Sequence, residues 1–161
     1  MGANATRARP AFGLPGRIQD PNSRPRTIAV VGLGQGGAQI ARSLSGQELA
    51  NVEVHVLAKS ASADAVAAIK AGGGDLQRDL IAADMIFIVA CAGDDVGLAS
   101  VVSGIAHGCN HPVTALYIMP PDARATAGED ATLRTLRSAV EMLVVVTDDS
   151  YVPAMIAALG G

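Results

Sequence analysis

The sequence predicts an α/β fold on a parallel, doubly wound sheet of five or more strands, in one domain, and three observations carry the prediction. Five apolar runs alternate with helical patterns from Thr27 onward. The runs are nearly continuous, as expected of strands covered on both faces. The first run passes straight into Gly32-x-Gly34-x-Gly36-Gly37 and then into a helical stretch, the strand–turn–helix order of Rossmann-like folds.

The strands are expected at Thr27–Val31, Val52–Leu57, Met85–Ala90, Val113–Met119 and Leu143–Thr147. Between and after them the helical segments are Gly36–Leu44, Ala63–Lys70, Leu76–Ala83, Leu98–His107, Ala127–Met142 and Val152–Leu159. The fifth helix carries a capping box, Thr126-x-x-Glu129, and sets Leu133, Leu136 and Val140 on one face. The sixth follows Asp149 and Ser150, with Pro153 tolerated in its first turn. Right-handed crossovers then place the ligand crevice at the carboxyl ends of the strands. The loops that reach it are 32–37, 58–62, 71–75 with 91–97, and 120–128 with 148–150.

Residues 1–26 read differently. Five arginines (Arg7, Arg9, Arg17, Arg24 and Arg26) alternate with Pro10, Pro15, Pro21 and Pro25. Such a stretch cannot bury enough apolar surface to offset its ordering entropy, so a flexible arm is expected, with the α/β domain spanning 27–161. Half of the residues are hydrophobic but only 2% are aromatic, so the core must be Ala, Val, Leu and Ile. A net charge of −3 gives no general attraction to nucleic acid. Cys91 and Cys109 are too few for a disulfide framework and fit a reducing cytoplasm. No apolar run of about twenty residues suggests a membrane span, and no signal peptide is evident.

The glycine turn lets backbone N–H groups at a helix N-terminus approach an anion. Read alone, Gly32-x-Gly34-x-x-Gly37 matches a dinucleotide fingerprint. The second strand ends in Ala58-Lys59-Ser60, without the acid that holds the ribose of NAD. Lys59, Ser60 and Ser62 would suit the 2′-phosphate of NADP; the plainer reading is a surface lysine and serines capping the next helix.

From 27 to 153 the chain also resembles the nucleotide-binding half of the FtsZ/tubulin family. Gly32-Leu33-Gly34-Gln35-Gly36-Gly37-Ala38 is similar to its first phosphate loop, and Ala71-Gly72-Gly73-Gly74 to the short loop near the terminal phosphate. Ala83-Asp84-Met85-Ile86-Phe87-Ile88 resembles the strand before the signature loop. Val101-Val102-x-x-Ile105-Ala106 resembles the helix after it, and Met142–Val146 with Asp148-Asp149 a later strand and its acidic end. The resemblance implies a GTP/GDP-binding module, with Mg²⁺ as an accompanying ion. Gly32, Gly34, Gln35, Gly36, Gly37, Gly72, Gly73, Gly74, Gly93, Asp94, Asp95 and Gly97 would form its nucleotide site.

The departures carry weight. Where the family has a run of Gly and Thr, this chain has Ala92-Gly93-Asp94-Asp95-Val96-Gly97. A carboxylate about 4 Å from a phosphate costs about 4 kcal/mol at an effective dielectric near 20. Asp94 and Asp95 are therefore expected either to hold a metal ion against phosphates or, standing at a helix N-terminus, to occupy the anion site themselves as N-caps. The family's hydrolytic second half is not recognisable here, so GTP hydrolysis and FtsZ-type polymerisation are not expected from this chain alone. The roles left are a regulatory or scaffolding nucleotide-binding module, a small NADP-binding protein, or a pseudo-nucleotide-binding protein that binds only protein, as a homo-oligomer or with another chain.

No catalytic residue and no metal site is assigned. His107-Gly108-Cys109-Asn110-His111 gathers zinc-type ligands but lies at the edge opposite the crevice. Cys91 reads either as a reactive thiol or as a small buried hydrophobe, and His55 as a satisfied core residue.

Overall fold

The computed structural model describes residues 25–58, 62–71, 74–120 and 130–160. The arm up to residue 24, Lys59, Ser60, Gly72, Gly73 and the capping box at 126–129 lie outside these residues.

Among the described residues five strands and six helices follow one another, with two helices between the second and third strands. They are β1 (Ile28–Leu33), α1 (Gly34–Ser45), β2 (Val52–Leu57), α2 (Ala63–Lys70), α3 (Asp75–Ala82), β3 (Met85–Cys91), α4 (Ala99–Gly108), β4 (Val113–Ile118), α5 (Ala131–Ala139), β5 (Met142–Val146) and α6 (Tyr151–Gly160). The strands form one all-parallel sheet in the order β2-β1-β3-β4-β5. The fold is thus α/β and Rossmann-like, as the apolar runs predict.

The three inner strands are the most buried. Every residue of β1 is buried, and so are the central residues of β3 and nearly all of β4. One core lies between the sheet and α2–α5, around Val31, Ile88, Tyr117 and Leu136. A second lies on the other face, around Val30, Ile40, Val89 and Ile156, beneath α1 and α6. Apart from Tyr117 in the first and Phe87 in the second, both are filled mainly by branched aliphatic side chains and alanine.

The chain reverses its direction of winding between β1 and β3. At that switch point the loops leaving two adjacent strands diverge and open a crevice. The turn after β1 and the turn after β3 therefore meet there.

Most boundaries shift by a few residues from the sequence reading, and two of the shifts bear on the site. β1 continues through Gly32 to Leu33, because Gly32 pairs with both Val56 and Val89. Among the described residues α5 begins at Ala131, where Asp130 accepts from the Thr132 N–H at 2.9 Å as the cap. By contrast, Ser62 caps α2 through the Ala65 N–H at 3.1 Å, as read from sequence.

In the middle of α4 stands a glycine with open space around it. An added Cβ at Gly104 meets nothing within 4 Å. Gly104→Ala is expected to raise stability by about 0.5–1 kcal/mol through helix propensity. The denaturant midpoint should rise; an unchanged or lower midpoint would contradict a regular helix at this position.

Candidate functional site

The crevice is built from a helix that cannot cap itself. Leu33 holds the N-cap position of α1 and offers no side-chain acceptor. The first turn is Gly34-Gln35-Gly36-Gly37, so no local carboxylate or hydroxyl meets its N–H groups. The acceptor comes from the loop after β3. Asp94 Oδ1 accepts from the Gly36 N–H at 3.0 Å, and Oδ2 accepts from the Gly37 N–H at 2.8 Å. Oδ2 also accepts from the Cys91 N–H at 2.8 Å.

A tight turn delivers this carboxylate. The Asp94 N–H donates to the Cys91 carbonyl at 3.1 Å, and Gly93 stands at φ +83°. That angle is what the third position of a type II turn requires. The same turn faces Gly34, which lies at φ +69° and where a Cβ would sit 2.5 Å from the Asp94 Cβ. A Cβ at Gly36 would come within 2.7 Å of both Cβ and Sγ of Cys91.

Gly32 and Gly37 serve packing. A Cβ at Gly32 would lie 2.4 Å from the Gly37 carbonyl oxygen, and one at Gly37 would lie 2.1 Å from that of Val89. These two glycines bring α1 directly onto β1 and β3. All four glycines of the Gly32–Gly37 turn are thus accounted for by contacts within the chain.

The carboxylate is itself held from behind. Thr132 Oγ1 donates to the Asp94 carbonyl at 2.6 Å. The Thr132 N–H donates to Asp130, and the Tyr117 hydroxyl donates to the other oxygen of that carboxylate. Burial alone would raise the Asp130 pKa, but the bonds from Tyr117, Thr132 and the Gly93 backbone outweigh it and hold the carboxyl below its ordinary value. This clamp is therefore complete above the ordinary aspartate range and is lost as pH falls through the depressed value. Burial, and then the Asp130 carboxylate, push the Tyr117 phenol well above its ordinary range, so it stays a donor.

Sequence reasoning placed Gly34, Gly36, Gly37, Gly93 and Asp94 in one site, and the structure brings them together. It does not give Asp94 and Asp95 the joint role of capping the next helix. α4 starts at Ala99 after Leu98, with no side-chain cap, because the chain turns again through Val96–Leu98. Asp94 caps α1 instead, while Asp95 makes a local turn by accepting from the Gly97 N–H at 3.0 Å. Gln35 is exposed on α1. Gly74 lines a separate cavity of about 280 Å³ with His55, Leu57, Ile69 and Leu76. Tyr117, Asp130 and Thr132 went unread; Asp130 followed by Thr132 at the head of α5 is the N-cap pattern that signals them.

Cys91 closes β3 beside this site. Burial, with the Asp94 and Asp149 carboxylates, pushes its thiol up to about 11. The small-hydrophobe reading fits and the reactive one does not. Against an ordinary value of 9.0 the thiolate fraction at neutral pH falls about a hundredfold. Alkylation of Cys91 in the folded protein is expected to lag an unfolded control by at least that factor. Comparable rates would contradict the burial.

The remaining candidates resolve into structural contacts. His55 Nε2 lies 2.9 Å from Asp79 Oδ2. His107 bonds Glu141, and His111 bonds the Ile81 carbonyl. Among the described residues no three metal-ligating side chains come together, and no helix is long and apolar enough to cross a membrane.

No family model matches this chain, and no match is found among curated proteins.

Proposed function

We propose that this chain is a pseudo-nucleotide-binding module, an α/β domain of nucleotide-binding type that works through protein partners in a regulatory or scaffolding role. One observation carries the reading: Asp94 places two carboxylate oxygens on the Gly36 and Gly37 N–H groups, where a phosphate would rest. These oxygens stand in for two phosphate oxygens. A nucleotide would have to break three backbone bonds and the charge repulsion of the departing carboxylate before it gained any of its own.

Thermal unfolding of the full-length protein tests this. With GTP, GDP, ATP, NAD or NADP, each with and without Mg²⁺, no rise in midpoint is expected. A ligand at about a hundred times its dissociation constant would add about 2.7 kcal/mol, which is easily read.

A second reading has support in the same geometry. The N–H groups converge on one anion at the switch point, so GTP or GDP with Mg²⁺ would bind if Asp94 swung out and helped to hold the metal. This is the reading that the FtsZ/tubulin resemblance implies. A midpoint rise with guanine nucleotides alone would favour it over ours. A rise with NADP alone would favour the NADP reading, whose Lys59 and Ser60 lie outside the described residues.

A further inference from the structure

The two edges of the sheet are finished differently. β2, at one edge, carries Glu53 and His55, and His55 is tied to Asp79 on α3. Charges on an edge strand discourage pairing with another chain. β5, at the other edge, reads Met-Leu-Val-Val-Val and has no polar side chain at all. Met142 is 59% exposed and Val145 45%.

The backbone of β5 is also available. The Val146 carbonyl accepts from the Met119 N–H at 2.8 Å, so Val146 points its backbone groups at the β4 side. Alternation along a strand then turns the N–H and C=O groups of Leu143 and Val145 outward. Among the described residues no strand lies beyond them.

Charge selects the occupant. Glu141 precedes the strand, Asp148 and Asp149 follow it, and Arg137 is the last Lys or Arg of the chain. Glu141 is fixed by His107 and by the Val113 N–H. A second copy related by a two-fold axis would pair β5 antiparallel with itself. That would set Glu141 of each chain near Asp148 and Asp149 of the other, at both ends of a short apolar ladder. A strand with cations at both ends meets the opposite situation in either direction.

We propose that the β5 edge is a docking site for an extended segment of another protein, about five residues of alternating or continuous apolar character with Lys or Arg on both flanks. The segment adds a sixth strand, bonding Leu143 and Val145, covering Met142 and Val145, and setting its cations beside Asp148 and Asp149 at one end and in the field of Glu141, which stays bonded to His107 and Val113, at the other. This rests on the protein-binding part of the reading above and not on Asp94, so a nucleotide-induced midpoint shift would overturn that reading and leave this one standing.

The test uses the full-length protein and a labelled peptide, Lys-Lys-Val-Thr-Val-Thr-Val-Lys-Lys, followed by fluorescence anisotropy. Saturable binding is expected, weakened at least tenfold when the flanking lysines are replaced by glutamates. Val145→Pro removes an outward N–H without touching the β4–β5 ladder and should weaken binding at least tenfold. Val145→Lys, on the exposed side chain, should do the same by repulsion and serves if the proline variant fails to fold. Absence of binding, equal binding of the acidic-flanked peptide, or binding unchanged in both variants overturns the proposal. So does a wild-type dimer in sedimentation that Val145→Lys converts to monomer, since the edge would then serve a second copy.

Discussion

Asp94→Ala is expected to turn a protein indifferent to phosphate into one that phosphate stabilises. The substitution removes the acceptor of three backbone N–H groups, on Gly36, Gly37 and Cys91. Hydrogen bonds to charged groups contribute about 1.5–3 kcal/mol each when single, and these three share one carboxylate and partial access to water. A loss of about 2–4 kcal/mol in unfolding free energy is the expected result. The N–H groups left behind still sit at the N-terminus of α1, where the helix dipole favours an anion. Inorganic phosphate or GTP at millimolar concentration should then restore part of the loss, while chloride at equal ionic strength should not. Denaturant titration with and without phosphate reads both effects. A variant that loses stability but ignores phosphate would mean that the cradle collapses without Asp94, and the anion-site interpretation would fail.

Gly37→Ala has the largest expected effect on the fold itself. The added Cβ would stand 2.1 Å from the Val89 carbonyl oxygen and 2.9 Å from its carbon. Both atoms belong to the central strand β3, which is hydrogen-bonded on two sides, so neither can yield as a side chain tip would. α1 must lift from the sheet and open the core around Ile40 and Val89. A destabilisation above about 3 kcal/mol is expected, at the upper end of overpacking effects. The check is the unfolding transition of the purified variant beside Gly104→Ala. A Gly37→Ala midpoint close to wild type would refute the close approach of α1 to β3.

The architecture was legible because burial on both faces writes itself into composition. Val52–Leu57 and Ala63–Lys70 were read with the bounds the structure has, and the other elements within a few residues. The errors have local causes. Gly32 reads as the start of a turn, yet without a side chain it suits a strand that α1 must cross closely, so β1 runs on to Leu33. A helix unbroken from Ala127 does not hold, because Asp130 is extended at the head of the described helix; Thr126-x-x-Glu129 itself lies outside the described residues.

The site was half legible. The glycine spacing marks a turn whose N–H groups need an acceptor, and Asp94 and Asp95 after β3 stand out in the loop expected to face it. What local pattern cannot say is where a side chain reaches once the sheet has formed. Asp94 is 58 residues from Gly36, and the contact exists because β3 lies beside β1. The Tyr117–Asp130–Thr132 clamp is hidden for the same reason, since its three residues sit on two elements and act on a third.

A helix whose first turn is mostly glycine and whose only cap comes from far along the chain has little tendency to form by itself. During synthesis the first strand and helix emerge well before Asp94 leaves the ribosome. Order in this amino-terminal unit is therefore expected to arrive late, with the docking of the third strand, so that the sheet assembles in one concerted event rather than by growth from one end.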